Sequence, residues 1–291
     1  MRSRAYWLVT TQHLPGGLLF KDDNDFCVGM NYVAVFAHKC NVRILSFVLM
    51  SNHLHFVLEG SREQAALFVE CFKREYSRHL NKKYGDVEVL RRNRVGLREV
   101  SEYGDELLRA ISYVQMNPVA ANICAISQDY PWGTGNVFFS MAHSADCRVI
   151  ADMSSRERYR VLHSKADVPG GWMVCPQGYV LPASYVDVEF VEHIFMSPKR
   201  MTFYLHSSSK AKQRLERSDD GMPAFSDQAI WAVLPDLFRS VFRKSSVKEL
   251  KPEELVELVR QLRFRFSAGA SQIVRVTGLS AQQVEACLDS M

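Results

Sequence analysis

Cysteine is scarce and unpaired in this chain, long apolar runs are missing, and neither sign of charge dominates. The seven cysteines (Cys27, Cys40, Cys71, Cys124, Cys147, Cys175 and Cys287) are odd in number, scattered, and never spaced as CxxC. That excludes a disulfide framework and a zinc knuckle, and it reads as reduced, mostly buried side chains. No apolar run approaches the roughly 18 residues of a membrane span. Met1-Arg2-Ser3-Arg4 leads straight into a strand-like segment rather than a signal peptide, so the expectation is a cytoplasmic protein with no membrane partner. A net charge of only +4 does not select a partner by bulk electrostatics. There is no internal repeat and no low-complexity tract. At 291 residues the chain exceeds the usual single-domain length, which favours two domains.

What is present is unevenly distributed. Lys73, Arg74, Arg78, Lys82, Lys83, Arg91, Arg92, Arg94 and Arg98 are opposed locally only by Glu75, Asp86 and Glu88. Such a surplus suits a nucleic-acid backbone; the plainer account is a solvated helix face. Ala5 to Thr11 alternates apolar and polar residues and predicts a strand, closed by the Pro15-Gly16-Gly17 turn. Phe26, Met30, Val33, Phe36 and Ala37 predict a helix over about 23–38. Arg43 to Leu49 and His53 to Leu58 read as strands joined by Met50-Ser51-Asn52. A second helix over 61–84 carries a capping-box pair, Ser61 and Gln64. Leu107, Leu108, Ile111 and Val114 predict a third helix that Pro118 ends or kinks. This order of elements implies an α+β design with an antiparallel sheet covered on one side. An irregular zone with Pro169-Gly170-Gly171, Pro176 and Pro182 follows, then a mainly helical region from about Val186, with a candidate mobile stretch from Ser207 to Gly221.

Two pairs of residues stand out chemically. His53 and His55 are one residue apart on a strand, so both imidazoles leave the same face while Leu54 turns to the other. They are either half-exposed strand histidines or a pair of ligands for a divalent metal. Tyr113 and Asn117 lie four residues apart on the third helix and share a face. Tyr113 is either a packed helical tyrosine or a nucleophile, in which case nearby positive charge is needed, because a phenol with pKa about 10 is a weak nucleophile at neutral pH. A bound cation that polarises a phosphate supplies such charge.

The run Val48-Leu49-Met50-Ser51-Asn52-His53-Leu54-His55 resembles the HUH signature (histidine, hydrophobic residue, histidine, usually after Met-Pro-Asn) of single-tyrosine transposases, with Ser51 in place of the common proline. Tyr113-Val114-Gln115-Met116-Asn117-Pro118-Val119-Ala120-Ala121 is similar to the nucleophile block of the REP-associated tyrosine transposases, where REP denotes a repetitive extragenic palindrome. Tyr130-Pro131-Trp132 matches that family's following turn, with Gly133 and Thr134 where serines are usual, and Phe20 with Asp22-Asp23 resembles its early turn. Arg94-Val95-Gly96-Leu97-Arg98 departs from the family's Gly-Arg-Phe block.

The resemblance covers about residues 5–135. It implies a ferredoxin-like HUH palm, with His53, His55 and Asn117 as ligands for Mg²⁺ or Mn²⁺ and Tyr113 as nucleophile. It also implies a metal-dependent single-stranded DNA endonuclease and strand transferase, acting on single-stranded or hairpin DNA through a 5′-phosphotyrosine, as a monomer or homodimer. The alternatives are a non-catalytic protein that recognises palindromic DNA and a metal hydrolase in which Tyr113 is structural.

The expected division is a DNA-processing domain over 1–149 and a mainly helical domain over 150–291. Within the latter, 266–289 has a helix-turn-helix pattern around Gly278-Leu279-Ser280, held by Ile273, Val276, Leu279, Val284 and Leu288. The plainer account is an ordinary helical hairpin. On the DNA reading, Arg275, Gln282 and Gln283 join Lys73, Arg74, Arg78, Lys82, Lys83, Arg91, Arg92 and Arg94 as candidate contacts.

Overall fold

The computed structural model describes residues 5–12, 18–85, 90, 93–140, 146–210 and 225–291. The expected turn at Pro15-Gly16-Gly17, the candidate contacts Arg91 and Arg92, and most of the stretch from Ser207 to Gly221 lie outside the described residues.

The first half runs β1 (Ala5–Thr11), α1 (Asp23–Cys40), β2 (Arg43–Met50), β3 (His53–Gly60), α2 (Arg62–Tyr84) and β4 (Val95–Val100). The strands form one antiparallel sheet in the order β2-β3-β1-β4. That is the ferredoxin-like βαββαβ arrangement. Each helix is delimited by local chemistry. The Asp22 carboxylate caps α1 by accepting from the Asp25 amide at 2.9 Å, and Asn41 ends it in the left-handed region at φ 52°. Ser61 and Gln64 form the expected reciprocal capping box on α2. Strand β4, which the sequence pattern did not predict, is an edge strand of alternating, largely exposed residues.

Helices α1 and α2 pack together on one face of the sheet, where Phe56 of β3 meets Phe68 and Phe72 at ring separations of 5.1 and 6.2 Å. The opposite face of β2 and β3 is covered by α3 (Glu106–Gln115), followed by a single turn, α4 (Asn117–Ala120). Coverage on both faces explains why every residue of β3 is buried. The segment after α4 protects the outer edge of β2. The Leu49 amide donates to the Trp132 carbonyl (2.9 Å), and the Thr134 amide donates to that of Phe47 (3.0 Å). Gly133 is required there, because a Cβ on it would lie 2.6 Å from the Phe47 carbonyl oxygen.

Next come β5 (Arg148–Val149), α5 (Ser155–Leu162), β6 (Met173–Val174), α6 (Val188–Phe195) and α7 (Pro198–Ser207). These pack into the same hydrophobic cluster as the sheet, a cluster that runs from Trp7 to Leu205. The packing therefore does not break at the expected boundary of 149/150. A second cluster, from Ile230 to Cys287, is built by α8 (Asp227–Leu237), α9 (Pro252–Arg265), α10 (Ala270–Thr277) and α11 (Ala281–Asp289). Gly278, at φ 78°, makes the expected turn between α10 and α11.

Candidate active site

Strand alternation sets the site. His53 and His55 leave β3 on the face away from α1 and α2, with ring centroids 4.7 Å apart and planes at 86°. Each imidazole is oriented through Nδ1. In His53 this atom lies 2.8 Å from the side-chain oxygen of Asn52, and an amide oxygen only accepts, so Nδ1 is the donor. In His55 it lies 3.1 Å from the Thr10 hydroxyl, the residue directly opposite on β1. A partner on one ring nitrogen that fixes the tautomer and aim of the other is the usual support of a metal-binding histidine.

Helix α3 brings Tyr113 to this face. Its ring stands edge-on to His55 at 5.6 Å and 88°. Burial pushes the phenol pKa up, partly offset by the positive charge of Arg98 on β4. The Lys210 ammonium lies 4.9 Å from the centre of the same ring. Asn117 is buried, and its amide nitrogen donates to the carbonyls of Tyr113 (2.8 Å) and Val114 (3.3 Å). With the nitrogen tied to the helix, the carbonyl oxygen is the end of the amide directed away from it. Among the described residues no three His, Cys, Asp or Glu side chains cluster as a metal site. The donor set is two imidazoles and an amide oxygen, which is compatible with a divalent ion that also takes phosphate oxygens.

Residues 25–95 match the family model described as IS200-like transposase. This segment is similar to that family. It contains both histidines and all of α2, whereas Tyr113, Asn117 and Lys210 lie beyond it. A solved structure described as a REP-associated tyrosine transposase bound to a REP hairpin is similar at 12% identity and a TM-score of 0.35, over 59% of this chain and 93% of that one. No curated protein matches. The His-Leu-His block, which resembles single-tyrosine transposases, lies within the matched residues, and the Tyr113 block lies beyond them. No helix among the described residues is long and apolar enough to cross a membrane.

The candidate DNA contacts fare unevenly. Arg74, Arg78, Lys82 and Arg94 are exposed, the first two paired with Glu75. Lys73 is turned onto the Asn93 carbonyl, and the Lys83 ammonium binds Asp22 and the fully buried Asp25. Arg275 has to be withdrawn from the DNA-facing set. Its guanidinium is largely buried in a two-pronged pair with Asp227, Nε to Oδ2 at 2.7 Å and Nη2 to Oδ1 at 3.0 Å. Gln283 is exposed but spends its side-chain oxygen capping α11, where it accepts from the Ser280 amide, and Gln282 is exposed.

Sequence reasoning missed Asp227, which joins the two clusters. Its carboxylate also accepts from the Ser51 hydroxyl at 2.8 Å and from the Gln272 amide at 3.1 Å. Ser51 is the residue that replaces the common proline two places before His53. Burial alone would raise the Asp227 pKa, but Arg275 and these hydrogen bonds more than offset it, so the carboxyl lies below its ordinary value. The neighbouring Gln228 donates to the Phe20 carbonyl at 3.1 Å. Only the Ser-for-Pro departure in the histidine motif hinted that this turn has a polar partner.

Proposed function

We propose that this chain is a metal-dependent single-stranded DNA nickase and strand transferase acting on single-stranded or hairpin DNA. The observation that carries the reading is the convergence of His53, His55 and Tyr113 on one face of the sheet, with ring separations of 4.7 and 5.6 Å. Nε2 of each histidine and the amide oxygen of Asn117 would hold the cation. Of Mg²⁺ and Mn²⁺, the second tolerates imidazole better. When bound, it would polarise the scissile phosphate and offset the charge that grows on its oxygens.

The Tyr113 oxygen attacks the phosphorus, an O–P bond forms, and the bond to the 3′ oxygen breaks. The phenol proton leaves to solvent and the departing 3′ oxygen ends as a hydroxyl. The products are a 5′-phosphotyrosine and a free 3′-OH, and rejoining is the reverse. No nucleotide cofactor is consumed, because one phosphodiester replaces another. Arg98 favours the ionised phenol. The nucleophile and the histidines come from one chain, so a monomer suffices for the chemistry.

The test is incubation with Mn²⁺ and labelled hairpin-bearing single strands, followed by denaturing electrophoresis. A covalent adduct is expected from the native protein and none from Tyr113→Phe. DNA binding without metal affinity would support a non-catalytic binding protein instead. Cleavage that survives Tyr113→Phe would mean that water is the nucleophile.

A further inference from the structure

Helix α7 packs against α3, the helix that carries the nucleophile, and it turns Met201, Tyr204 and Leu205 inward. Lys199, Thr202, Phe203 and His206 are all exposed. Their spacing of i, i+3, i+4 and i+7 makes them one outward stripe. The helix has three basic side chains, Lys199, Arg200 and His206, and no acidic one. In the middle of the stripe Phe203 leaves 65% of its surface to solvent. Three residues past the end of α7, Lys210 brings its ammonium to the Tyr113 ring. Four residues of chain, at most about 14 Å, separate Lys210 from His206 at the end of the stripe.

We infer that this stripe is the track along which a single strand of DNA approaches Tyr113, with Phe203 stacking a base, Lys199 holding a backbone phosphate, and Lys210 holding the phosphate next to the nucleophile. The inference deepens the proposed function and rests on it for the identity of the strand. A single strand offers a repeating negative charge and open π-faces, and cations interleaved with an exposed aromatic ring answer both. A duplex hides the base faces that Phe203 would use. The stripe lies outside the residues that match the transposase family, and it also lies outside the basic run on α2.

The experiment uses the full chain carrying Tyr113→Phe, which cannot form the covalent bond, and a fluorescein-labelled 20-nucleotide oligothymidine. Binding is followed by anisotropy over a series of salt concentrations. Lys199→Met and Lys210→Met are each expected to flatten the slope of log K against log salt by about 0.7, the value for one phosphate contact on a single strand. Phe203→Ala is expected to weaken binding roughly 5- to 150-fold without changing that slope, and Phe203→Trp to restore it. All three positions are solvent-facing or half-buried, and an unchanged unfolding midpoint confirms that each variant is folded. Slopes and affinities equal to the parent's would overturn the inference, as would a Phe203→Trp protein as weak as Phe203→Ala. The outcome is separable from the proposed chemistry. Covalent adducts with an inert stripe refute the track alone, whereas stripe-dependent binding with no adduct refutes the chemistry alone.

Discussion

Replacing Asp227 with alanine removes the acceptor of four hydrogen bonds at once: two from Arg275 and one each from Ser51 and Gln272. The guanidinium of Arg275 would remain largely buried with its counter-charge gone, and the Ser51 hydroxyl would lose its acceptor. Breaking a buried ion pair from one side costs about 3–5 kcal/mol, because it strands a charge, not because the intact pair was worth that much. The low end applies here, since the Arg275 side chain keeps 11% of its exposure and a route to water. Replacing both partners, as in Asp227→Met with Arg275→Met, strands nothing and should fall within about 1–2 kcal/mol of the native protein. Urea unfolding is the assay, followed by a probe in the second cluster such as Trp231, because two hydrophobic clusters need not unfold in one step.

Acid adds a second reading of the same pair. The folded carboxyl titrates below its ordinary value. On acidification the unfolded chain therefore takes up the proton first, near pH 3.9. The stabilisation is complete above that pH and is lost as pH falls through the lower folded value. The acid-induced loss in the native protein should therefore be shallower in the double variant. A single alanine variant that loses less than about 1 kcal/mol, or a double variant as unstable as the single, would refute the reasoning.

Two further outcomes follow from the same geometry. Asn52→Ala removes the oxygen that holds the Nδ1 proton of His53, and should weaken Mn²⁺ binding by about 10- to 100-fold in calorimetric titration while the fold is kept. Gly133→Ala places a methyl group 2.6 Å from the Phe47 carbonyl, so β2 or the 132–134 segment must shift, and a loss of about 1–3 kcal/mol is expected in thermal unfolding.

What could be read from the sequence was local. The capping box at Ser61 and Gln64 forms as its spacing required, and Leu107, Leu108, Ile111 and Val114 are all buried on α3. Same-face placement of His53 and His55 needed only the two-residue period of a strand. Strand β4 was hidden because an edge strand with Gly96, Arg98 and Glu99 has no apolar face to announce it. That α3 would cover the face opposite α1 and α2 was equally hidden, since amphipathic periodicity says that a helix is buried on one side but not against what.

The second half acts on the site through contacts that no periodicity encodes. Ser51 and Asp227 are 176 residues apart, and Lys210 reaches Tyr113 from beyond α7. Composition made 150–291 look like a separate helical domain, because its strand β6 is two residues long and its turns are rich in Pro and Gly. Packing divides the chain differently. Helices α5 to α7 complete the first core, and α7 buttresses α3, the helix that carries Tyr113, on the face that α1 and α2 leave open. A domain cut at 149 would therefore keep the histidines and Tyr113 but remove the surface that holds α3 against them. The bundle of α8 to α11 meets the first core through Asp227 and Gln228, one bonded to the histidine turn and the other to the loop before α1. That placement makes the bundle a support for the turn before His53, and it is reached with the one arginine that a helix-turn-helix reading would have assigned to DNA.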